Sequence, residues 1–267
     1  MFDKPKVSVV IPCFNHEDYV TQSINSVLEQ TYNNIELIVI DDGSSDKSVE
    51  ILSNLAKLHK FTLITQKNMG ICKTLNKAIE EYSSGKYLAL LASDDYFHPE
   101  KIQKQVEELM SNKGSEFCYT QAFEFDSTTG KEIRVFPQKK FTGKVLNKII
   151  LRQPYAAGSL LFTKVLNDRV GGFDELLKYE DWDFSIRCAA STEFSAVYEP
   201  LFFYRSHPLN VTKTLDRRQI FQQKAKTLAK NYHLVTPSIW LGALAINFLY
   251  DHVLYKIKFL NLKGFLH

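Results

Sequence analysis

The chain has 267 residues, of which 45% are hydrophobic and 24% charged, and its 33 basic and 30 acidic residues give a net charge of +3. This length suits one large domain or two small ones, and the composition excludes disordered, collagen-like and very small stapled proteins. The charge is too evenly balanced for a dedicated nucleic-acid-binding protein, which would concentrate far more Lys and Arg.

Cysteine usage and the apolar runs indicate a cytoplasmic protein. The four cysteines are scattered and include no CxxC pair, so they predict buried, reduced thiols: Cys13, Cys72, Cys118 and Cys188. The N-terminal residues lead into an apolar strand without the pattern of a signal peptide. No apolar run reaches the roughly 20 residues of a membrane-spanning helix.

The first half alternates short apolar strands with helical patterns. The strands are predicted at 7–11, 35–40, 61–65 and 87–92. Helical patterns follow the first three, and Asn15 or Asp18 is expected to cap the first of these helices. Strands and helices in this order predict a parallel sheet with right-handed crossovers, whose ligands bind beyond the carboxyl ends of the strands.

The second half is more irregular. Strands are predicted at 116–125, 132–136 and 196–204, with helices at 99–109, from 180 and from 216 onward, and residues 158–163 form a small, apolar stretch. We expect both halves to share one sheet. The predicted fold is α/β, with a Rossmann-like, mostly parallel sheet and helices on both of its faces. This domain would comprise residues 1–214, in two halves of about 1–110 and 111–214. A helical extension is predicted at 215–267.

Adjacent acids at a strand end are the strongest chemical signal. Asp94 and Asp95 follow an apolar strand directly, and paired carboxylates suit Mg²⁺ or Mn²⁺, which complete their coordination shell from phosphates. The alternative is an N-terminal cap of the helix near Pro99. Because Asp42 ends a neighbouring strand, the metal and nucleotide interpretation is favoured.

Other strand-end residues suit a nucleotide. Phe14, after Pro12, could stack on a base, and Asp42 could accept a hydrogen bond from it; alternatively Phe14 lies in the core and Asp42 forms a turn. The sequence lacks GxGxxG after its first strand and lacks GxxxxGK[ST] throughout, which argues against a dinucleotide dehydrogenase and a P-loop NTPase. The negative charge of bound phosphates must then be balanced by a cation and by basic side chains. The candidate side chains are Lys73, Arg205 and His207.

A second carboxylate pair, Glu180 and Asp181, lies at a predicted helix start. One of these acids could take a proton from an attacking hydroxyl. The alternative is that both carboxylates simply favour the positive end of the helix. A carboxylate with an ordinary pKa of about 4 is a weak base and would have to act in concert with bond formation.

Ordered motifs now identify a family resemblance. The segments at 7–15, 26–31, 40–46, 68–70 with Asn76, 93–95, 171–174 and 180–183 resemble those of family 2 glycosyltransferases with the GT-A fold. The resemblance covers about residues 6–207. It implies an enzyme that takes a sugar from a nucleotide-diphospho-sugar, most often a UDP-sugar, with inversion at the anomeric carbon.

The resemblance also implies roles for individual residues. Pro12 and Phe14 would flank the base, and Asp42 would form a hydrogen bond with it. Asp94 would contact the ribose, Arg205 would approach the diphosphate, and Asp95 with His207 would hold Mn²⁺ or Mg²⁺. Asp181 would be the general base, and Glu180 would help to place the acceptor.

Two positions depart from the family. Many members have an acid where this chain has Ser93, and an Arg where it has Leu75; Lys73 is expected to substitute for that Arg.

The C-terminal segment, 236–267, interleaves lysines with apolar and aromatic residues. Such a segment could lie in a membrane surface, which would suit a lipid-linked glycan acceptor in cell-surface polysaccharide synthesis and a peripheral location at the inner face of the membrane. The alternative is packing on the domain or on a second copy in a homo-oligomer.

Two other functions remain open. One is a catalytically silent nucleotide-sugar-binding or scaffolding module, against which the retained acids argue. The other is a sugar-nucleotide pyrophosphorylase, which would usually carry a Gly-rich basic loop after the first strand; residues 12–17 lack one.

Overall fold

A computed structural model describes residues 4–177, 180–208, 210 and 216–254. The strands are β1 (Val7–Cys13), β2 (Ile35–Asp41), β3 (Thr62–Thr65), β4 (Tyr87–Leu90), β5 (Tyr96–Phe97), β6 (Ser115–Asp126), β7 (Glu132–Phe136), β8 (Leu160–Thr163) and β9 (Glu193–Ser206). All the strands predicted from the sequence are present within a few residues of their predicted bounds.

The helices are α1 (Val20–Leu28), α2 (Ser48–His59), α3 (Ile71–Lys77), α4 (Lys101–Ser111), α5 (Leu146–Ile149), α6 (Lys164–Val170), α7 (Glu180–Ser191), α8 (Arg217–Lys230) and α9 (Pro237–Leu249). A π-helical turn continues α3 through Ala78–Tyr82, and another continues α9 through Tyr250–Leu254. In the described residues, no helix combines the length and the apolar character needed to cross a bilayer.

All nine described strands form one sheet in the order β3-β2-β1-β4-β8-β6-β9-β5, with β7 beside β6. Strands β1 to β4 pair in parallel, β8 runs antiparallel to both of its neighbours, and β6 pairs in parallel with β9. The prediction that both halves share one α/β sheet is confirmed. Because β8 reverses direction between β4 and β6, strands β1, β2, β4, β6 and β9 all have their carboxyl ends at the same edge.

The central strands are buried on both faces, as expected for apolar strands covered by helices. Val10, Ile38 and Leu88 belong to a core shared with α3, α7, α8 and α9, whereas their sequence neighbours face a core formed with α1, α2 and α4. Leu228 of α8 and Ala243 of α9 are fully buried in the first core. The core is therefore continuous across the predicted boundary at residue 214. The four cysteines are free and buried, as predicted.

Candidate active site

The loops after β1 and β2 are bonded to each other. Asn15 adopts a left-handed conformation (φ 56°), which Asn tolerates better than most residues; its Oδ1 accepts a hydrogen bond from the Ser45 amide (2.8 Å), and its own amide donates to Ser44 Oγ (2.9 Å). Since Asn15 is engaged there, it does not cap α1, which begins at Val20 without a side-chain cap. The predicted cap at Asn15 or Asp18 is therefore wrong.

The ring of Phe14 lies exposed at the edge of the sheet, in the loop after β1. Phe14 is 47% exposed and directly follows β1; Pro12, two residues earlier, is half-buried and pairs with β2. An exposed phenylalanine at this position is not a core residue, which removes the alternative interpretation. The ring is free of the apolar core and is available to a flat ligand; its contact with a base stays a prediction.

Asp42 shapes the neighbouring loop. Its Oδ1 accepts hydrogen bonds from the Met69 amide and from Gln66 Nε2, both at 2.8 Å, and its Oδ2 accepts from the Gly70 amide at 2.9 Å. Hydrogen bonds to an ionised carboxylate are among the stronger ones in proteins. Asp42 thus fixes the path of residues 66–70; a bond from Asp42 to a base stays a prediction.

Beyond β4, Asp94 lies between two histidines. Its Oδ2 is 3.0 Å from His207 Nε2 and 3.9 Å from His16 Nε2, and one ligand atom of each residue lies within 4.8 Å of the other two. Burial would raise the pKa of Asp94, but the His207 hydrogen bond and the nearby His16 outweigh it and lower the pKa. His16 Nδ1 is 2.7 Å from Ser93 Oγ, which orients the ring. Together these nitrogen and oxygen donors could hold a metal ion.

Asp95, the next residue, is bonded to the backbone of β9. It is 5% exposed, and its Oδ1 accepts a hydrogen bond from the Arg205 backbone amide (2.7 Å). Burial, and secondarily the charge of Asp94, raise the pKa of Asp95 well above its ordinary value. In the described residues, the group of side chains that could hold a metal ion contains Asp94 and does not contain the predicted Asp95; which carboxylate holds an ion stays a prediction.

The Arg205 side chain is buried and bonded to its neighbours. Its Nε donates to the Asp94 carbonyl (2.7 Å), and its guanidinium donates to Gln22 Oε1 and lies over the rings of Tyr19 and Phe125. A buried guanidinium held in this way supports the Asp94 backbone. Its predicted approach to a diphosphate stays a prediction. Lys73, in contrast, is exposed on α3.

Asn76, which belongs to the motif after β3, joins α3 to the Gly-rich turn. Its Nδ2 donates to the Phe173 carbonyl (2.8 Å), and its Oδ1 accepts from the Phe173 amide (2.9 Å). A Cβ on Gly172, whose φ is +64°, would lie 2.8 Å from Asn76 Oδ1. The motif at 171–174 forms a turn just before α7, and its close packing against α3 explains its residues.

Asp181 lies in the first turn of α7, half-buried. Its Oδ1 accepts from the Trp182 amide (2.8 Å), and its Oδ2 accepts from Gln153 Nε2 (3.1 Å). Burial raises its pKa, so Asp181 is a stronger base than the ordinary surface carboxylate expected from the sequence. Glu180 begins the same helix, but its side chain lies outside the described residues.

Two residues of this region were missed in the sequence. His16 follows the same strand end as Phe14, so the rule that selected Phe14 could have selected His16. Gln153 has no such signal, because it lies in an irregular stretch before β8 and reaches Asp181 only through tertiary packing.

Comparisons with known proteins identify the family. A family model described as glycosyl transferase family 2 matches residues 8–169. An uncharacterized glycosyltransferase of Rickettsia prowazekii is 30% identical over 215 residues, which are 79% of this chain and 67% of that protein. An uncharacterized glycosyltransferase of Rickettsia bellii is 37% identical over 60% of this chain, but this match spans only 23% of that protein. The chain therefore corresponds to between about a quarter and two thirds of these relatives.

Solved structures share the fold. The crystal structure of Staphylococcus aureus TarS 1–349 in complex with UDP-GlcNAc gives a TM-score of 0.70 at 18% identity, over 92% of this chain and 72% of that one. Mannosyltransferase PcManGT from Pyrobaculum calidifontis in complex with GDP-Man and Mn²⁺ gives 0.66 at 14% identity, over 94% and 71%. At such identities the likeness concerns the fold, which is GT-A.

Proposed function

Because the chain belongs to glycosyl transferase family 2, we propose that it is an inverting glycosyltransferase that moves a sugar from a nucleoside diphosphate to an acceptor hydroxyl. The cluster of His16, Asp94 and His207 carries this proposal. It lies where β1, β4 and β9 end at one sheet edge, the position at which such sheets bind ligands. We take a UDP-sugar as the donor, in line with the UDP-GlcNAc bound by TarS.

The residues present fit a divalent cation. Two imidazoles and one carboxylate offer nitrogen and oxygen donors within 4.8 Å of one another, and we take Mn²⁺ as the ion, in line with the Mn²⁺ bound by the mannosyltransferase PcManGT. His16, Asp94 and His207 would hold the ion. When bound, it would neutralise charge on the departing diphosphate.

Around that position, other side chains bind and orient the nucleotide. Phe14 stacks on the base beside Pro12, because its ring is exposed at the strand end. Asp42 supports the facing loop through the Met69 and Gly70 amides and lies next to the base. Lys73, exposed on α3, reaches toward the diphosphate.

Asp181 supplies the base. It accepts the proton of the acceptor hydroxyl while the hydroxyl oxygen forms a bond to C1 of the sugar. The bond between C1 and the diphosphate oxygen breaks, and the nucleoside diphosphate leaves with the electron pair. The raised pKa of Asp181 favours this role, and the bonds from Trp182 and Gln153 hold its two oxygens in place.

For the acceptor, we propose a glycan or lipid-linked glycan of a cell-surface polysaccharide, reached from the cytoplasmic face of the membrane. Support comes from α9, where Leu241, Ile246, Phe248 and Leu249 are each at least 44% exposed. An apolar helix face of this kind can lie in a lipid surface. Residues 255–267, which complete the predicted amphipathic segment, lie outside the described residues.

Liposome flotation tests the membrane proposal. Removing residues 236–267 would also remove Ala243 from the core, so point changes on the exposed face are preferable. The double variant Leu241→Ser/Leu249→Ser should lose binding to anionic vesicles that the wild-type chain retains. Equal flotation of the two proteins would contradict a membrane role for α9.

Nucleotide release tests the enzymatic proposal. Wild-type protein with Mn²⁺ is incubated separately with UDP-GlcNAc, UDP-glucose and GDP-mannose, and the nucleoside diphosphate is quantified. We expect release from at least one donor, and a loss of 10²-fold or more in Asp181→Asn, the usual scale for a general base. Binding without release would instead indicate a silent module, and formation of nucleoside triphosphate on addition of pyrophosphate would indicate a pyrophosphorylase.

A further inference from the structure

The C-terminal helices contact the catalytic helix through a buried carboxylate. The Asp183 side chain is fully buried on α7, two residues after Asp181. Its Oδ1 accepts from Asn231 Nδ2 (2.7 Å), which lies just after α8, and its Oδ2 accepts from Lys230 Nζ (2.9 Å) and from Arg187 Nε (2.8 Å). A buried carboxylate is costly unless it is bonded in this way, so Asp183 depends on donors supplied by α8.

The same network holds the turn before α7. Lys230 Nζ also bonds Asp174 Oδ2 (2.6 Å), and Arg187 donates to the carbonyls of Val170 and Gly172. Lys230 therefore bridges two carboxylates, one on either side of the start of α7. The orientation of this first turn, which carries Asp181, follows from the position of α8.

A second contact holds the partner of Asp181. Asn247 Nδ2 on α9 donates to the Leu151 carbonyl (3.0 Å), and the Arg152 guanidinium lies 3.9 Å from the centre of the Tyr250 ring. Leu151 and Arg152 immediately precede Gln153, whose amide bonds Asp181 Oδ2. The C-terminal helices thus contact both elements that orient the Asp181 carboxylate.

We propose that α8 and α9 are a positioning element for Asp181, with Lys230 and Asn231 as its positioning residues; this inference rests on the proposed function. Neither residue contacts the reacting atoms. They act through Asp183, which fixes α7, while Asn247 fixes the segment of Gln153. Since misplacement of a catalytic group by about 1 Å can cost about 10²-fold in rate, loosening this element should lower turnover more than it lowers nucleotide binding.

The test compares two lysines that each bridge two carboxylates. Lys230→Met removes the contacts to Asp174 and Asp183, whereas the control Lys104→Met removes contacts to Glu100 and Glu199 on the opposite face of the sheet. The readouts are kcat and KM for release of nucleotide from the best of UDP-GlcNAc, UDP-glucose and GDP-mannose, together with the Kd for UDP in Mn²⁺.

We expect kcat of Lys230→Met and of Asn231→Ala to fall at least tenfold, with KM and the UDP Kd within about twofold of wild type. Lys230→Arg, which can still bridge the carboxylates, should recover most of kcat, and Lys104→Met should retain it. A merely stabilising role would affect Lys230→Met and Lys104→Met alike and would not separate kcat from KM.

Other results would overturn the inference. The inference is contradicted if folded Lys230→Met and Asn231→Ala keep the wild-type kcat, or if kcat falls equally in Lys104→Met. It is also contradicted if neither Lys230→Met nor Asn231→Ala folds at 25 °C, because the contacts would then stabilise the whole fold. Asp181→Asn in the same assay separates the two proposals. If it keeps its kcat, the proposed role of Asp181 is wrong; if it loses kcat while Lys230→Met does not, only the positioning role is wrong.

Discussion

Lys101 provides a test of the structure that is independent of any substrate. It is fully buried on α4, and its Nζ donates to Gln105 Oε1 (2.8 Å) and the Leu160 carbonyl (3.4 Å) and lies 4.1 Å from the centre of the Phe97 ring. Both acceptors are neutral. Burial therefore lowers the pKa of Lys101 from 10.5 to about 7.

The sign of the pH dependence follows from proton binding. Between pH 7 and pH 10.5 the unfolded chain holds the Lys101 proton and the folded chain does not, so the free energy of unfolding rises with pH. Integrated from pH 7 to pH 9, the contribution of Lys101 to this increase is roughly 2 kcal/mol. Burial raises the pKa of Cys13 and of Cys118 from 9.0 to about 11, so these thiols ionise in the unfolded chain first and act in the opposite direction; the Lys101 contribution is therefore read as the difference between wild type and a variant that lacks it.

Substitution of Lys101 by Met should abolish this increase. Because Met carries no charge to desolvate, Lys101→Met should also be more stable than wild type at pH 7, by roughly 2–4 kcal/mol after the lost hydrogen bonds are deducted. Urea unfolding followed by circular dichroism at pH 7, 8 and 9 measures both effects, with Lys104→Met, a half-buried lysine on the same helix, as the control. An increase that persists in Lys101→Met, or a variant less stable at every pH, would refute the reasoning.

Three further predictions concern the site and the sheet. Because burial raises the pKa of Asp181, kcat should fall on acidification with a midpoint above 3.8; a pH-rate profile with a midpoint at or below that value would contradict the buried base. Phe14→Ala should weaken UDP binding about five- to tenfold, from the loss of about 1 kcal/mol of stacking, and an unchanged Kd by calorimetry would exclude the stacking role. The pKa of Glu36 is lowered to about 2, since hydrogen bonds from Lys6, Ser8 and Ser84 outweigh its burial, so its contribution is present above pH 4.5 and is lost as pH falls toward 2. Glu36→Gln should thus cost about 1 kcal/mol at pH 7 and almost nothing at pH 2, and an equal cost at both would refute the ion pair.

The sheet was predictable because burial on both faces leaves apolar runs that are visible in the sequence. Val7–Cys13 and Ile35–Asp41 are almost wholly buried, and only short loops separate them from their helices. The start of α1 was not predictable, because Asn15, which is a good cap by type, bonds instead to Ser45 of another loop. A cap competes with tertiary partners that local patterns do not contain.

The placement of candidate residues at strand ends could be predicted from the sequence, but the contacts of their side chains required coordinates. Neighbours such as Asp94 and Asp95 have the same chemistry in sequence, yet one faces His16 and His207 and the other faces the Arg205 amide. The direction of each side chain depends on the approach of β9, more than 100 residues away along the chain. For the same reason the support given by Gln153 to Asp181 could not be foreseen.

The proposed function depends most on a cation held by His16, Asp94 and His207 beside a nucleoside diphosphate. Electron paramagnetic resonance of free Mn²⁺ during titration of the protein, with and without UDP, measures this directly. We predict that UDP strengthens Mn²⁺ binding to the wild-type chain and that Asp94→Asn weakens the binding of Mn²⁺ and UDP together at least tenfold. Binding of UDP that is equally tight in EDTA, or wild-type Mn²⁺ affinity in Asp94→Asn, would contradict the account.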